Sequence, residues 1–233
     1  MSGTLAVDIE TVSPGREPRG EQFRDSTFFE LLAVGLGHRP APGEPVETTV
    51  RFREDDTPES ELALLDAVCD WAEKRDPDSL LTYNGTGFDF LHLPGRADLA
   101  GEEVGDAGPG DRLDALLALP HDDLMDDVRE AWGHRLKLGD ACAELGIDCP
   151  ETLWADYETG LDPETWRFGR ARGAAFVTNS DVPQVGERYL ALASVDARET
   201  LTFRELHGLL EHYTVADIEP LYELADRRPF AVE

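Results

Sequence analysis

Residues 4–10 (TLAVDIE) are apolar up to an aspartate, the pattern of a buried first strand. Residues 30–39 (ELLAVGLGHR) and 45–53 (PVETTVRFR) read as the second and third strands. In the third, Val46, Thr48, Val50 and Phe52 alternate with polar neighbours, the period of a half-buried strand. Three strands in succession, the last two joined by the turn APGE, predict an antiparallel meander. Thr57 and Pro58 open a helix with Glu59 and Glu61 in its first turn, near the positive end of the helix dipole. Leu62, Leu65, Val68, Cys69 and Ala72 line one face of it. Residues 79–83 (SLLTY) form a short apolar strand closed by the turn Asn-Gly-Thr-Gly. A helix is expected from about Phe88, interrupted at Pro94-Gly95, and residues 101–111 read as a loop by composition. Further helices are predicted over 123–132, 137–145 (stopped by Gly146), 183–194 and 202–227, the last opened by a capping box of Thr202 and Glu205. Residues 156–181 are the least patterned. The order β-β-β-α-β followed by helices predicts a single α/β domain over 1–233 with a mixed sheet, without internal repeat or linker.

Composition sharpens this picture. A hydrophobic fraction of 41% supports a real core and argues against intrinsic disorder. Against 21 basic side chains stand 49 acidic ones, a net charge of −28. On a folded chain of this mass that is roughly one negative charge per 370 Å² of surface. Such charges repel one another in dilute salt and are largely screened at molar salt. Lys74 and Lys137 are the only lysines; every other base is arginine. The composition resembles that of cytoplasmic proteins of salt-in haloarchaea; an ordinary acidic protein from a GC-rich genome is the alternative. No apolar run approaches the 18 or so residues of a membrane span, and the N-terminus lacks the features of a signal peptide. Cys69, Cys142 and Cys149 form no C-x-x-C pair. These features point to the cytoplasm, with no membrane association, no disulfide framework and no thiolate metal site. No H-x-x-x-H or H-E-x-x-H spacing suggests zinc, and no nucleophile elbow, P-loop or dinucleotide fingerprint occurs.

Candidate chemistry lies in the acids. Asp8 and Glu10, at i and i+2 of the first strand, point to one face. Asp89 follows a glycine turn after another strand, and Asp217 lies four residues after Tyr213, on the same helical face. Read singly, these are a solvated strand end, a first-turn helix acid and an ordinary helix pair. Brought together, carboxylates are hard oxygen ligands suited to Mg²⁺ or Mn²⁺. Two such ions about 3.5–4 Å apart activate a water and stabilise the leaving oxygen of a phosphodiester.

The blocks V-D-I-E-T, Y-N-G-T-G-F-D-F and H-Y-T-V-A-D, in that order, resemble the three motifs of the DEDD superfamily of 3′–5′ exonucleases, tyrosine subgroup (DEDDy). The likeness is to the exonuclease domain of family B DNA polymerases and its stand-alone relatives. Asp123-Leu124-Met125 and the segment from Arg135 through Gly146 also look like family landmarks; residues 156–200 cannot be traced. The resemblance implies an RNase H-like fold, with Asp8, Glu10, Asp89 and Asp217 around two divalent metal ions, Mg²⁺ or Mn²⁺, and Asp8 bridging both. Tyr213 would orient the attacking water, since a phenol with pKa near 10 is a poor metal ligand at neutral pH. Thr11, Asn84 and Phe88 would contact the terminal nucleotide; core packing for Phe88 and a turn role for Asn84 are the alternatives. The partner implied is a single-stranded 3′ end of DNA or RNA, released as nucleoside 5′-monophosphates. A chain that stops at Glu233 leaves no room for a polymerase domain.

A net charge of −28 opposes phosphate binding, so two less acidic segments stand out. Residues 12–24 carry Arg16, Arg19 and Arg24; residues 160–173 carry Arg167, Arg170 and Arg172 beside Trp166 and Phe168. Arginine with interleaved aromatics suits a single strand, and pairing with surface acids is the alternative. A catalytically silent nucleic-acid-binding or scaffold protein is the competing functional reading. An aspartyl-phosphate phosphatase is a third, disfavoured by Glu10 and the scarcity of lysine.

Overall fold

A long apolar run in a strand demands cover on both faces. The run of Glu30–Arg39 receives it: every residue of this strand from Leu31 to His38 is buried. In the computed structural model, which describes residues 3–230 apart from the side chain of Arg170, that strand is β2. It lies next to the central strand of a five-stranded sheet ordered β3-β2-β1-β4-β5. The other strands are β1 (Gly3–Val12), β3 (Glu47–Phe52), β4 (Pro77–Thr82) and β5 (His121–Asp123). β1, β2 and β3 form the expected antiparallel meander, and β4 and β5 run parallel to β1. This mixed sheet with helices on both faces is an RNase H-like fold.

On one face Leu5, Val7 and Ile9 of β1, with Val34 and Leu36 of β2, pack against α1 (Pro58–Glu73), α2 (Asp89–Val104) and α3 (Gly108–Leu117). The opposite face carries small residues instead. Ala6, Asp8 and Glu10 of β1 stand beside Gly37, Gly35 and Ala33 of β2. Over this face lie α6 (Val182–Ala193) and the long α7 (Leu201–Asp226). A Cβ at Gly35 would stand 2.6 Å from Thr214 Cγ2, and one at Gly37 would stand 2.7 Å from Ile218 Cγ2. The two glycines thus let α7 approach the backbone of β2. Short helices α4 (Leu124–Trp132) and α5 (Leu138–Leu145) close the far side, packing with Ile218, Leu221 and Leu224.

Several boundaries differ from those predicted. α2 runs through Pro94 without interruption, because burial of Leu93, Ala97 and Ala100 outweighs the one backbone hydrogen bond that proline removes. Residues 101–111 are mostly helix: Gly105 closes α2 in the left-handed conformation and Pro109 sits in the first turn of α3. The glycines and proline there are stop and start signals, not loop filler. β5 has only three residues and no alternation to reveal it. At α7 the cap is Thr200, whose side chain accepts the N–H of Phe203, so Thr202 and Glu205 form no capping box. Among the described residues, no helix is long and apolar enough to cross a membrane.

The glycine contact yields a direct expectation. Gly35→Ala forces α7 away from β2 and should destabilise the fold by about 1–3 kcal/mol, the usual cost of overpacking, measured by urea denaturation.

Candidate functional site

Strand β1 ends its apolar run by presenting Asp8 and Glu10 on the small-residue face, directly under α7. One helical turn beyond Tyr213, Asp217 descends from α7 toward them. One carboxylate oxygen from each of Asp8, Glu10 and Asp217 lies within 4.8 Å of the other two. Asp89 is the first residue of α2, and it is buried. Its Oδ1 accepts the N–H of Ile9 at 3.0 Å, tying this acid to the β1 backbone between the other two. Asp89 stands outside the three-oxygen group, so the four predicted ligands divide into a cluster of three and an adjacent fourth.

Like charges crowded away from water disfavour ionisation. Asp8 and Glu10 are both held well above the usual carboxylate range, by burial first and then by the neighbouring acids. Burial raises Asp89 to about 7, against the opposing pull of backbone N–H groups, and raises Asp217 to about 6. No cation contributes to any of these four shifts. The donor set is entirely hard oxygen, and its charge is uncompensated by the described protein. It therefore fits divalent cations of the Mg²⁺ and Mn²⁺ kind. Tyr213 is half-buried, and its phenol is pushed above its usual range by burial and by Glu10, Asp217 and Asp8. Without a bound cation this favours the protonated phenol.

The turn after β4 is built around an acid noticed in the sequence only as a landmark. Asp123, the N-cap of α4, accepts the N–H groups of Asn84 at 2.7 Å, Thr86 at 3.0 Å and Met125 at 3.2 Å. Asn84 occupies the left-handed conformation (φ 68°), which asparagine tolerates. Its side-chain oxygen accepts from Arg135 at 2.7 Å. Phe88 is half-buried, edge-on to Phe29 at 5.4 Å and 4.4 Å from the ring of His92. His92 is fully buried, with one ring nitrogen at Ser26 and the other at the Phe23 carbonyl. The loop after β1 is thereby fastened to α2. Thr11 is half-buried and follows a register shift between Glu10 and Thr11.

In the basic segments it is Arg167 that departs from the expected substrate role. Arg167 is 2% exposed. Its guanidinium binds both oxygens of Asp181, at 2.9 and 2.7 Å, and donates to the carbonyls of Ala174 and Phe176. Four of its five N–H donors are taken within the protein and the side chain is buried, so its role is structural. Trp166 donates to the same Asp181. Arg172 is exposed, 3.7 Å from Glu164, and Phe168 is 82% exposed; the side chain of Arg170 lies outside the description. Arg16 stacks on Phe28. In a chain this acidic most arginines find a carboxylate: Arg112 alone faces Asp66, Asp70 and Glu73.

The sequence reading missed Asn179 altogether. Its Oδ1 accepts the hydroxyl of Tyr213 at 3.0 Å. It lies in the stretch where no motif could be traced.

Two measurements check this description. Removing one partner of a buried ion pair strands the other, so Arg167→Ala should cost about 3–5 kcal/mol in urea denaturation. The raised carboxylates bind more protons folded than unfolded, where their pKa is about 4. Their contribution to stability is therefore full below about pH 4 and falls as pH rises through the values near 6 and 7 of Asp217 and Asp89. In EDTA at pH 8, Asp8→Asn should raise the melting temperature by roughly 3–8 °C, and this gain should vanish at pH 4. Mn²⁺ should raise the wild-type melting temperature at pH 8 and raise that of the variant much less.

No protein-family model and no curated protein matches the chain. Among solved structures it is similar to the family B DNA polymerase from the hyperthermophilic archaeon Pyrobaculum calidifontis, at 16% identity and a TM-score of 0.36. The match covers 97% of this chain and 27% of the polymerase, so the chain spans about a quarter of that protein's length.

Proposed function

We propose that this protein is a two-metal-ion 3′–5′ exonuclease of the DEDDy kind. In this reading it hydrolyses the last phosphodiester of a single-stranded DNA or RNA 3′ end and releases nucleoside 5′-monophosphates. The observation that carries the reading is the meeting of Asp8, Glu10 and Asp217 within 4.8 Å, with Asp89 fastened to the same strand and Tyr213 one turn from Asp217. Residues from three distant segments converge there in the order of the three motifs. A chance set of surface acids has no reason to be crowded together, with Glu10 and Asp89 buried and Asp8 and Asp217 half-buried, at a cost in charge repulsion.

Asp8, Glu10 and Asp217, with Asp89 beside them, would hold the divalent ions. When bound, such ions polarise the scissile phosphate and lower the pKa of a water. The protein's own residues do the rest. Tyr213 keeps its proton and places its hydroxyl oxygen where the attacking water must be oriented. The water oxygen forms the new bond to phosphorus and the bond to the 3′ oxygen breaks, so the leaving strand ends in a 3′ hydroxyl. Phe88, backed by Phe29 and His92, offers an apolar wall for the terminal base. The turn at Asn84, pinned by Asp123 and Arg135, sets the far edge of that space. With arginine so largely committed to acids, binding relies on the metals, on stacking and on hydrogen bonds more than on counterion release. The acidic surface accords with work at high salt, where its self-repulsion is screened.

Digestion of 5′-labelled single-stranded DNA and RNA oligomers in molar KCl with Mn²⁺ or Mg²⁺ tests the proposal. The expected result is a ladder shortening from the 3′ end, abolished by EDTA. Asp8→Ala and Asp217→Ala should each slow it at least about a hundredfold, the scale of several kcal/mol of lost charge stabilisation. Oligomers that bind in a gel shift yet survive intact would favour the silent nucleic-acid-binding protein.

A further inference from the structure

Residues 152–181 form an arm with no α-helix or strand, only three single 3-10 turns and a bridge between Leu153 and Phe176, and two buried side chains hold it together. The carboxylate of Asp181, fully buried, accepts from Arg167, from the Trp166 indole, and from both the N–H and hydroxyl of Thr178. Arg167 in turn holds the carbonyls of Ala174 and Phe176. Two backbone bonds, Val177 to Thr152 and Trp154 to Ala175, knit the ends of the arm together. The arm lies along α7 at three points. Tyr157 meets His212, the Glu158 N–H donates to Glu205, and Asn179 meets Tyr213. Asn179 sits between Thr178 and Asp181, in a turn closed by the Asp181 N–H to the Thr178 carbonyl at 2.7 Å.

We propose that Asn179 is a positioning residue for Tyr213, which fixes the direction of its hydroxyl. The inference rests on the exonuclease reading above and deepens it. The Tyr213 proton is given to Asn179 Oδ1 at 3.0 Å. The phenol oxygen is then left with lone pairs only, so toward the site it acts as an acceptor. A water bound there must point one hydrogen at Tyr213 and turn its own lone pair elsewhere, toward phosphorus. Without Asn179 the hydroxyl rotates freely and can donate to that water, which occupies the lone pair needed for attack. The buried Arg167–Asp181 pair earns its place by holding the acceptor still.

A double-mutant cycle with Tyr213→Phe tests this, using the full chain and a 5′-labelled DNA oligomer. Asn179→Ala should lower kcat about three- to tenfold with KM unchanged, the size of one solvent-facing hydrogen bond. In the Tyr213→Phe background it should have no further effect. A second readout needs neither metal nor turnover: in EDTA, the ¹³Cζ resonance of Tyr213, assigned by its loss in Tyr213→Phe, should move in Asn179→Ala. An equal loss of kcat in both backgrounds, or an unmoved resonance, would overturn the inference. A wild-type protein that cleaves neither polymer would sink the exonuclease reading, while the resonance still decides whether Asn179 holds Tyr213.

Discussion

Asp217 reaches Asp8 and Glu10 because α7 lies almost on the backbone of β2. That approach is the constraint on which the site depends. Where a helix rests on an ordinary sheet, side chains from both fill the gap between them. Here Gly35 and Gly37 remove the side chains opposite Thr214 and Ile218. Asp8 is the cross-strand partner of Gly35, so the same omission that admits the helix clears the space beside the acid. Tyr222, about one turn beyond Ile218, fixes the height: its hydroxyl accepts the N–H of Ala6 at 3.0 Å.

The fold works against its own electrostatics at this point. Burying several carboxylates together opposes folding, and no arginine or lysine among the described residues pairs with them. The opposing energy comes from the apolar layers on either side. Leu5, Val7 and Ile9 face one layer while Asp8 and Glu10, on alternate positions, face the other. One strand therefore anchors itself in the core through its odd residues and holds the strained acids with its even ones. Elsewhere Glu61, a fully buried acid, is neutralised by Arg96 and by the N–H of Leu31. The contrast is informative, because the chain can compensate a buried acid and at the cluster it does not.

What could be read in the sequence follows from which signals are local. The strands β1 and β2 are legible because burial on both faces writes a long apolar run. The four acids and Tyr213 are legible only as ordered motifs, since each alone is an ordinary strand-end or helix residue. The helix α3 is hidden because its first turn contains glycine and proline, which read equally well as a loop. Arg167 misleads because arginine among aromatics has one composition whether it faces solvent or a buried aspartate; the partner is 14 residues away and burial is not written locally. Asn179 is invisible for the same reason, being joined to Tyr213 across 34 residues by an arm whose shape no periodicity encodes.

The continuity of α7 has a consequence for how such a chain can change over time. Tyr213, Asp217 and Tyr222 share one uninterrupted helix, together with Asp226, which pairs with Arg39 at the opposite end of the sheet. Inserting or deleting one residue within it turns everything beyond by about 100°. The acid, the phenol and the anchor would then no longer face β1 and β2 together. Over this span the chain is a ruler whose length is fixed, so variation there has to come by exchange of side chains. Changes of length are left to the connections, such as the turn at residues 40–46, where no part of the site is measured off.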